Sequence, residues 1–352
     1  MPDRRIHRRQ GEFDLLNEMR YVYAVYQEMS FSKAAKKMYI SQPALSNMVR
    51  KAENEIGAPI FDRSTIPLTV TREGAYYIRS IEEILFIQRN IRSYFKDLEE
   101  LNTGSLAIGG ASFFCSFVFP ELIGRFHEKY PNVTIDLLEG NVKELREGLE
   151  DETLDLVLET ALHEGDPTVS RFFFRHETII LAVPAAYPVN KRLNPYRLSF
   201  GDVATGRFLS EQVEPVPLGV FAEVPFITMK PGNDMYERSI RMCRNAGFTP
   251  KIALLVDQVL TSINVASTGV GAVFIRSDIV GCRPENQELV YYKIGDPLAR
   301  RSVTFASKKG KYITSAMREF MRMAGVKKLD EKIGRATGEK GGAPDGDGTG
   351  TG

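Results

Sequence analysis

The stretch FSKAAKKMYISQPALSNMVRKAENEIGAPIFDRSTIPLTVTREG, residues 31–74, decides the fold of the first part of the chain. Its opening residues predict a short helix, because Ser32 can serve as the N-cap and three apolar side chains, ending with Met38, follow on one face. The helical pattern then breaks at residues 39–41. Upstream, residues 15–29 carry apolar side chains at helical spacing, so another helix is predicted there.

A third helix is predicted from residue 42 to about residue 55. Ser41 can cap it, and Pro43 is tolerated because the first N–H groups of a helix have no partner within it. Gly57 is expected to end the helix, and Pro59 follows. Core positions in this region are predicted at Ala34, Ala35, Leu45, Val49, Ile56, Ile60 and Phe61. Two helices joined by a tight turn are typical of a helix-turn-helix.

Two short strands are predicted after this helix, at residues 60–63 and 68–71, around a turn at residues 64–67. A helix-turn-helix followed by a hairpin describes a winged helix-turn-helix, here over residues 13–71. Residues 1–12 precede it as a flexible basic arm, which is rich in Arg and lacks the apolar core of a secretory signal. A cytoplasmic protein is therefore expected.

A long helix is predicted over residues 72–102, because proline is absent and apolar residues recur every seven positions. The two sets of this repeat are Tyr77, Ile84, Ile91 and Leu98, and Ile81, Gln88 and Phe95. A seam of this length favours pairing of two copies of the helix. The alternative is one helix lying on its own domain, but an isolated linker helix would leave the apolar stripe exposed to water.

Beyond residue 103 strands and helices alternate, which is typical of an α/β domain with a largely parallel sheet. Strands are predicted at residues 105–109, 134–139, 155–159, 178–183, 226–229, 251–256 and 271–275, and helices at residues 117–130, 142–150, 236–245 and 258–267. This domain is expected to span residues 103–328. The polar, Gly-rich residues 329–352 are expected to form a disordered tail.

Charge is distributed unevenly, although the net charge of the chain is only +1. Residues 1–80 carry 13 Lys or Arg against 9 Asp or Glu, and the remainder carries 33 against 36. Residues 32–51 contain five basic side chains and no acidic one. A basic face at one end of a near-neutral chain favours docking on phosphate, although a solvated helix face would show the same pattern.

The quoted stretch closely resembles the signature of LysR-type transcriptional regulators. The matching positions are Phe31, Ser32, Ala34, Ala35, Met38, Ile40, Ser41, Gln42, Pro43, Ala44, Leu45 and Ser46, then Glu53, Ile56, Gly57, Ile60, Phe61 and Arg63, then Val70, Thr71 and Gly74. The resemblance implies an α/β protein with an all-helical-plus-wing N-terminal domain, a dimerising linker helix, and an effector-binding domain like a periplasmic binding protein. Two α/β lobes would be joined by two crossovers, with lobe I at residues 103–177 and 279–328 and lobe II at residues 178–278.

In a helix-turn-helix the second helix enters the major groove with its N-terminal residues nearest the base edges. Gln42 has the donor and acceptor that pair with adenine, and Pro43 offers an apolar contact to a thymine methyl. Ser46 and Asn47 follow on the same helix, although Asn47 stands where the family often has Arg or Gln. The candidates for phosphate or minor-groove contacts are Ser32, Lys33, Lys36, Arg50, Arg63, Thr65 and Thr71. For each residue alone, simple surface exposure is the alternative.

An effector cleft is expected where strands end and helices begin, because helix N-termini offer free N–H groups and partial positive charge to an anion. The candidates at three such junctions are Ser112, Asn141 and Asn233 as hydrogen-bond partners, Lys230 as a charge partner, Phe113 as an apolar wall, and Met229. We therefore expect a small anionic metabolite between the lobes, and no cofactor. The alternative is that these residues only cap helices and pack loops.

Other classes of protein fit the sequence less well. An enzyme is not expected, because no nucleophile elbow, phosphate-binding loop or metal-ligand spacing occurs. A transport-type solute-binding protein would carry a signal sequence, and an architectural DNA binder would not need the α/β domain. Cys115, Cys243 and Cys282 fit neither a metal site nor a disulfide framework. The expected partners are duplex DNA with an interrupted inverted repeat, a small-molecule effector and further copies of this chain in a dimer or tetramer, with RNA polymerase left open and no membrane.

Overall fold

The computed structural model describes residues 14–97, 104–160, 166–327 and residue 329. Two compact units meet between Phe95 and Lys96. The predicted basic arm, residues 98–102 of the predicted linker helix and the predicted tail from residue 330 onward lie outside the described residues. Leu329, which the prediction assigned to the tail, is instead buried in the core of the second unit, because its apolar side chain packs there.

The first unit is a helix-turn-helix with a short hairpin. Its helices are α1 (Asp14–Glu28), α2 (Phe31–Lys37), α3 (Gln42–Ile56) and α4 (Arg72–Asp97), and its strands are β1 (Phe61–Asp62) and β2 (Thr69–Val70). β1 and β2 pair antiparallel. The predicted winged helix-turn-helix is therefore confirmed.

Helix capping explains where α2 and α3 begin and end. Ser41 accepts a hydrogen bond from the first turn of α3, and Gly57 ends that helix in the left-handed conformation with a φ of 71°, both as predicted. The prediction that Ser32 caps α2 is wrong. The cap is Ser30, whose Oγ accepts from the backbone N–H of Lys33 at 3.4 Å, so that Ser32 lies in the first turn and its side chain points outward.

The core of the first unit is built from α1, α2, α3, the hairpin and the start of α4. The predicted core positions Ala34, Ala35, Leu45, Val49, Ile60 and Phe61 are buried. Ile56 is not a core residue, because its side chain at the end of α3 is 37% exposed. The buried face of α3 therefore ends one turn before the helix does.

The apolar stripe of α4 divides into two parts. Tyr77 and Ile81 are buried in the core of the first unit, and Ile84 packs against that core. Ile91 and Phe95, about two and three turns beyond Ile84, are 53% and 63% exposed. Within the described part of α4, only this second part of the stripe is exposed for pairing with another chain.

The second unit alternates strands and helices. Its strands are β3 (Gly104–Gly110), β4 (Val133–Glu139), β5 (Leu156–Thr160), β6 (Val169–Pro184), β7 (Arg197–Leu198), β8 (Pro225–Met229), β9 (Lys251–Val256), β10 (Ala272–Arg276), β11 (Leu289–Lys293) and β12 (Arg300–Lys308). Its α-helices are α5 (Phe119–Lys129), α6 (Val142–Glu150), α7 (Phe200–Ala204), α8 (Asp234–Asn245), α9 (Val259–Ala266), α10 (Asp278–Gly281) and α11 (Ser315–Met323). A π-helical turn, Phe114–Val118, precedes α5. The predicted α/β class is confirmed, but the predicted largely parallel sheet is wrong: the sheet is mixed, because β6, β7, β11 and β12 pair antiparallel with their neighbours.

The strands follow the order β4-β3-β5-β12-β6-β10-β8-β9, and β11 pairs with both β6 and β7. β6 connects the two halves of this sheet, since residues 169–178 pair with β12 and residues 179–184 pair with β10 and β11. β3 pairs in parallel with β4 and β5, and β8 pairs in parallel with β9 and β10. We refer to the half around β3 as lobe I and the half around β8 as lobe II.

The second crossover between the lobes does not lie at residue 279, as predicted, because the strand that follows still pairs within lobe II. β11 pairs antiparallel with the second half of β6, so residues 289–293 belong to lobe II and not to lobe I. The chain returns to lobe I only with β12, which pairs with β5 and the first half of β6. The physical reason is that the backbone N–H and C=O groups along the edge of β6 need hydrogen-bond partners, and the returning strand β11 supplies them.

Candidate functional site

The start of α3 presents one exposed face and one buried face. Gln42, Pro43 and Asn47 are exposed and Ser46 is half-buried, whereas Leu45 on the opposite face is fully buried. The buried face fixes the helix, and the four side chains predicted to contact bases lie on its outer surface. The predicted phosphate contacts Ser32, Lys33, Lys36, Arg50 and Arg63 are also exposed.

A hydrogen bond connects the two helices of the motif on this surface. Ser32 Oγ donates to Gln42 Oε1 at 2.9 Å. The bond fixes the plane of the Gln42 amide, which is the group that can form a bidentate pair with adenine. Ser32 therefore positions the side chain of Gln42, a role that differs from the phosphate contact predicted for it.

Arg63 ties the hairpin to α3. Its Nη2 forms an ion pair with Glu53 Oε2 at 2.8 Å, its Nη1 donates to Ser46 Oγ at 3.4 Å, and its guanidinium carbon lies 4.8 Å from the centroid of the Phe31 ring. Glu53 also accepts from the backbone N–H of Ile60 at 3.0 Å. These contacts hold the side chain of Arg63, which is 34% exposed, beside the predicted base-contacting residues.

The two threonines of the predicted set serve the hairpin. Thr71 Oγ1 donates to the carbonyl of Pro59 at 2.6 Å and accepts from the backbone N–H of Gly74 at 2.9 Å, so it caps α4. Thr65 Oγ1 and Thr69 Oγ1 share a hydrogen bond of 2.8 Å within the wing. Thr65 and Thr71 are both half-buried, and their side chains form hydrogen bonds within the first unit.

A cavity of about 770 Å³ lies between the two lobes of the second unit. Lobe I and the nearby part of β6 line it with Ala111, Phe114, Gly140, Asn141, Val142, Leu145, Arg146, Leu149, Val157, Leu158, Glu159, Thr160, Asp166, Pro167, Val169 and Arg171. Lobe II lines it with Met229, Gly232, Asn233, Asp234, Met235, Asp257, Gln258 and Val259, and Arg276 and Arg301 complete the wall. Its size suits a small organic molecule.

Three of the six predicted effector-binding residues line this cavity. Asn141 caps α6, where its side chain accepts from the backbone N–H of Glu144 at 3.1 Å, and Asn233 caps α8, where it accepts from the N–H of Met235 at 2.9 Å. Met229 is buried at the end of β8. Both asparagines thus combine a capping role with a place in the cavity wall.

The other three predicted residues lie near the cavity without lining it. Phe113 is buried behind Phe114, with their ring centroids 5.8 Å apart. Ser112 donates its backbone N–H to Gln258 Oε1 at 3.3 Å, a bond from lobe I to lobe II, and its Oγ hydrogen-bonds to Glu139. Lys230 is exposed and forms an ion pair with Asp257 at 2.7 Å.

A buried charge network below the cavity was missed at the sequence level. Glu177 on β6 accepts from Arg301 Nε at 2.6 Å and from Arg276 Nη2 at 3.1 Å, and Arg301 also pairs with Asp234. Burial alone would raise the pKa of Glu177, but Arg276 and Arg301 outweigh it and hold that pKa below its usual value. The sequence feature that could have indicated this network is a basic residue next to an apolar stretch at two places. Arg276 follows AVFI, and Arg301 precedes SVTFA.

Among the described residues of the second unit, no further reactive centre stands out. Burial raises the pKa of the Cys115 thiol to about 11 and that of Cys243 to about 12, so neither favours the thiolate form. Within the described residues, no group of three His, Cys, Asp or Glu side chains could hold a metal ion. In the same part of the chain, no helix is both long and apolar enough to cross a membrane.

A winged helix-turn-helix joined through a long helix to a two-lobed α/β unit with a ligand-sized cavity defines a DNA-binding regulator that has a substrate-binding domain. Two family models match the chain accordingly. The bacterial regulatory helix-turn-helix protein, lysR family, matches residues 16–75, and the LysR substrate binding domain matches residues 99–325. The chain belongs to the LysR family of transcriptional regulators, which are DNA-binding proteins and not enzymes.

Individual relatives and solved structures agree with this assignment. The HTH-type transcriptional regulator YcgK of Bacillus subtilis is 26% identical over 310 residues, which are 87% of this chain and 92% of YcgK. BenM of Acinetobacter baylyi is 30% identical over 183 residues, 50% of this chain and 57% of BenM. HinK of Pseudomonas aeruginosa has a similar fold, with a TM-score of 0.50, 20% identity and coverage of 91% of this chain and 99% of HinK. CbnR in complex with its target DNA superposes with a TM-score of 0.52 and 17% identity, covering 88% of this chain and 99% of CbnR.

Proposed function

We propose that this regulator binds an interrupted inverted repeat in duplex DNA and that a small anionic metabolite, held between lobes I and II, controls its activity. It acts in the cytoplasm as a dimer or tetramer of this chain. RNA polymerase is its natural downstream partner, because a regulator at a promoter alters the access or activity of that enzyme. The cavity of about 770 Å³ carries the effector part of the proposal.

The character of the cavity wall supports an anionic ligand with an apolar body. Leu145, Leu149 and Val259 supply apolar surface, and Asn233 brings the N-terminus of α8 to the wall. Helix N-termini attract negative charge because their first N–H groups have no partner within the helix. A ligand that touches both lobes can favour one angle between them over another, which is how its binding would reach the rest of the molecule.

The outer surface of α3 supports the DNA part of the proposal. Gln42, Pro43, Ser46 and Asn47 lie at its N-terminal end, and the exposed cations flank them. The related CbnR has been solved with its target DNA, and the fold that this chain shares with CbnR would present α3 to the major groove in the same way. Two copies related by a two-fold axis would then read two half-sites of opposite direction.

Replacing Gln42 by Ala is expected to reduce the discrimination between the specific repeat and scrambled DNA by about 1–3 kcal/mol, because a bidentate pair with a base is lost. Fluorescence anisotropy with both DNAs measures the effect. Arg50→Ala is the matched control on the same helix, since loss of an exposed cation should weaken binding to both DNAs alike. Equal losses on both DNAs in Gln42→Ala would contradict the assignment of α3 as the reading helix.

Replacing Val259 by Trp is expected to abolish stabilisation by effectors, because the larger ring would occupy the cavity at the start of α9. A thermal-shift screen of small metabolites on the full chain measures it, since a ligand that binds only the native state stabilises it by RT ln(1 + [L]/Kd) and so raises the melting temperature. Val220→Trp is the control, because Val220 is 45% exposed and lies outside the cavity wall. An unchanged response in Val259→Trp would place the effector elsewhere.

A further inference from the structure

Arg276 and Arg301 are the two deeply buried cations in the wall of the cavity. Arg276 is the last residue of β10, and its side chain is 6% exposed. Its guanidinium carbon lies 4.3 Å from the ring centroids of both Phe113 and Phe114. The two rings hold the planar group in one place through cation–π contact, so its N–H donors have fixed directions.

Most of the hydrogen-bonding capacity of Arg276 is unused. Its Nη2 donates to Glu177 Oε1 at 3.1 Å, but Nε and Nη1 are buried and have no hydrogen-bond partner among the described residues. Buried donors of charged groups are almost always paired, because they lose the water that would otherwise bind them. Arg276 therefore carries a buried charge that its own hydrogen bonds satisfy only in part.

The buried network carries one positive charge in excess. Three guanidinium groups, of Arg238, Arg276 and Arg301, share only two carboxylates, of Glu177 and Asp234. Arg301 forms ion pairs with both carboxylates, and its pKa is raised. Among these carboxylates Arg276 forms an ion pair only with Glu177, which is also paired with Arg301. Burial accordingly lowers the pKa of Arg276 to about 10 against the opposing effect of Glu177.

The other charged side chains of the cavity wall are paired. Arg146 pairs with Asp166, Arg171 pairs with Glu159 at 2.9 Å, and Asp257 pairs with Lys230 at 2.7 Å. Ile179 is the residue of β6 that pairs with Arg276. Arg171 lies eight positions before Ile179 on the same strand, which is about 25 Å at the usual rise of a β-strand. The uncompensated positive charge is therefore confined to the end of the cavity next to Arg276.

We propose that Arg276 is the anion-binding residue of the cavity and that the effector is a monocarboxylate. The carboxylate lies against the guanidinium group of Arg276 in the cavity wall and supplies the one negative charge that the network lacks. The apolar body lies along Phe114 and Leu145 toward the far end of the cavity, where the cations are paired and a second carboxylate would find no free one. This inference rests on the proposed function, because it assumes that the cavity between the lobes is the effector site.

Six-carbon probes that differ only in charge test the inference on the full chain. Ligand-observed NMR would measure the affinity of hexanoate, of its neutral amide hexanamide, and of the dicarboxylate adipate. We expect hexanoate to bind at least about tenfold more tightly than either of the other two, because a charge-assisted hydrogen bond is stronger than a neutral one and a second buried charge is costly. Hexanamide binding as tightly as hexanoate, or adipate binding more tightly, would overturn the inference.

Variants assign the effect to a residue. Arg276→Gln should weaken hexanoate binding by about tenfold or more and leave hexanamide unchanged. Arg276→Lys keeps the charge beside Glu177 and removes the planar donors, so it should fold even if the Gln variant does not and should lower hexanoate affinity by an intermediate factor. Lys251→Gln is the control, because that exposed cation and its partner Glu223 both lie outside the cavity wall, so hexanoate binding should stay intact.

The outcomes separate this inference from the proposed function. Full hexanoate affinity in Arg276→Lys and Arg276→Gln would overturn the role of Arg276 and leave an anionic effector in place. Binding of hexanamide alone, lost in Val259→Trp, would refute the anionic class while retaining the cavity as the effector site. No binding of any six-carbon probe by the wild-type chain would overturn the monocarboxylate, and the metabolite screen would still report on the cavity.

Discussion

Replacing Ile91 and Phe95 together by Asp is expected to yield a monomer whose affinity for the inverted repeat is at least about 100-fold lower, because each half-site is then bound without its linked neighbour. The two side chains are 53% and 63% exposed on α4, beyond the part of the helix that the first unit buries. An apolar stripe of this kind is stable in water only when another surface covers it. Two carboxylates facing their copies across a pair of helices would repel and lose their solvation.

Light scattering and DNA titration measure this effect side by side. Arg89→Asp is the charge-matched control, since it also changes the net charge by two units but replaces an exposed residue on the opposite face of α4. That variant should remain oligomeric. A choice of Ile84 in place of Phe95 would confuse the result, because Ile84 packs against the core of the first unit. A wild-type chain that scatters as a monomer at micromolar concentration would refute the pairing of α4.

Replacing Gly74 by Ala is expected to lower the free energy of unfolding of the first unit by about 3 kcal/mol and to abolish DNA binding, because the new methyl group has no room. A Cβ at this position would lie 2.0 Å from the carbonyl oxygen of Ile60 and 2.8 Å from its carbon. Both are backbone atoms held by the pairing of Glu53 with the start of the hairpin, so neither can move aside as a side chain could.

The same substitution elsewhere serves as the control. Gly124 lies within α5, and a Cβ there would meet no atom within 4 Å. Gly124→Ala should therefore stabilise the second unit by up to about 1 kcal/mol through helix propensity alone. Hydrogen exchange resolves the two units separately, and protection should fall only in residues 14–97 of Gly74→Ala. Unchanged protection there would show that α4 can shift away from the hairpin at little cost.

Local signals were sufficient to predict the helix-turn-helix. Ser41, Pro43 and Gly57 act through their own backbone and nearest neighbours, so their effect is readable from a few residues. The cap of α2 shows the limit of such reasoning, since Ser30 and Ser32 are both suitable and only the path of the chain from α1 selects Ser30. The same holds for Ile56, whose helical position is clear but whose exposure depends on what packs beside it.

In the second unit most strands were predictable, but β6 was predicted only in part and β7, β11 and β12 were not predicted. β8 and β9 were predicted nearly to the residue, because their apolar runs stand between turn residues. β6 extends nine residues further toward its N-terminus than predicted, and β12 was not predicted at all. Their polar residues are accommodated by partners distant in sequence, as when Glu177 on β6 meets Arg301 on β12, and no local pattern reports such pairs.

The sequence by itself determined the family, the two-part organisation and the junctions where Asn141, Met229 and Asn233 meet the cavity, since strand-to-helix transitions are local events. Only the tertiary structure decided which cation reaches the ligand. Lys230 stands at a predicted junction and is paired with Asp257, whereas Arg276 ends an apolar strand, lines the cavity and shares Glu177 with Arg301. The physical reason is that the charge balance of a buried site depends on groups brought together by folding, here from β6, β10, β12 and α8.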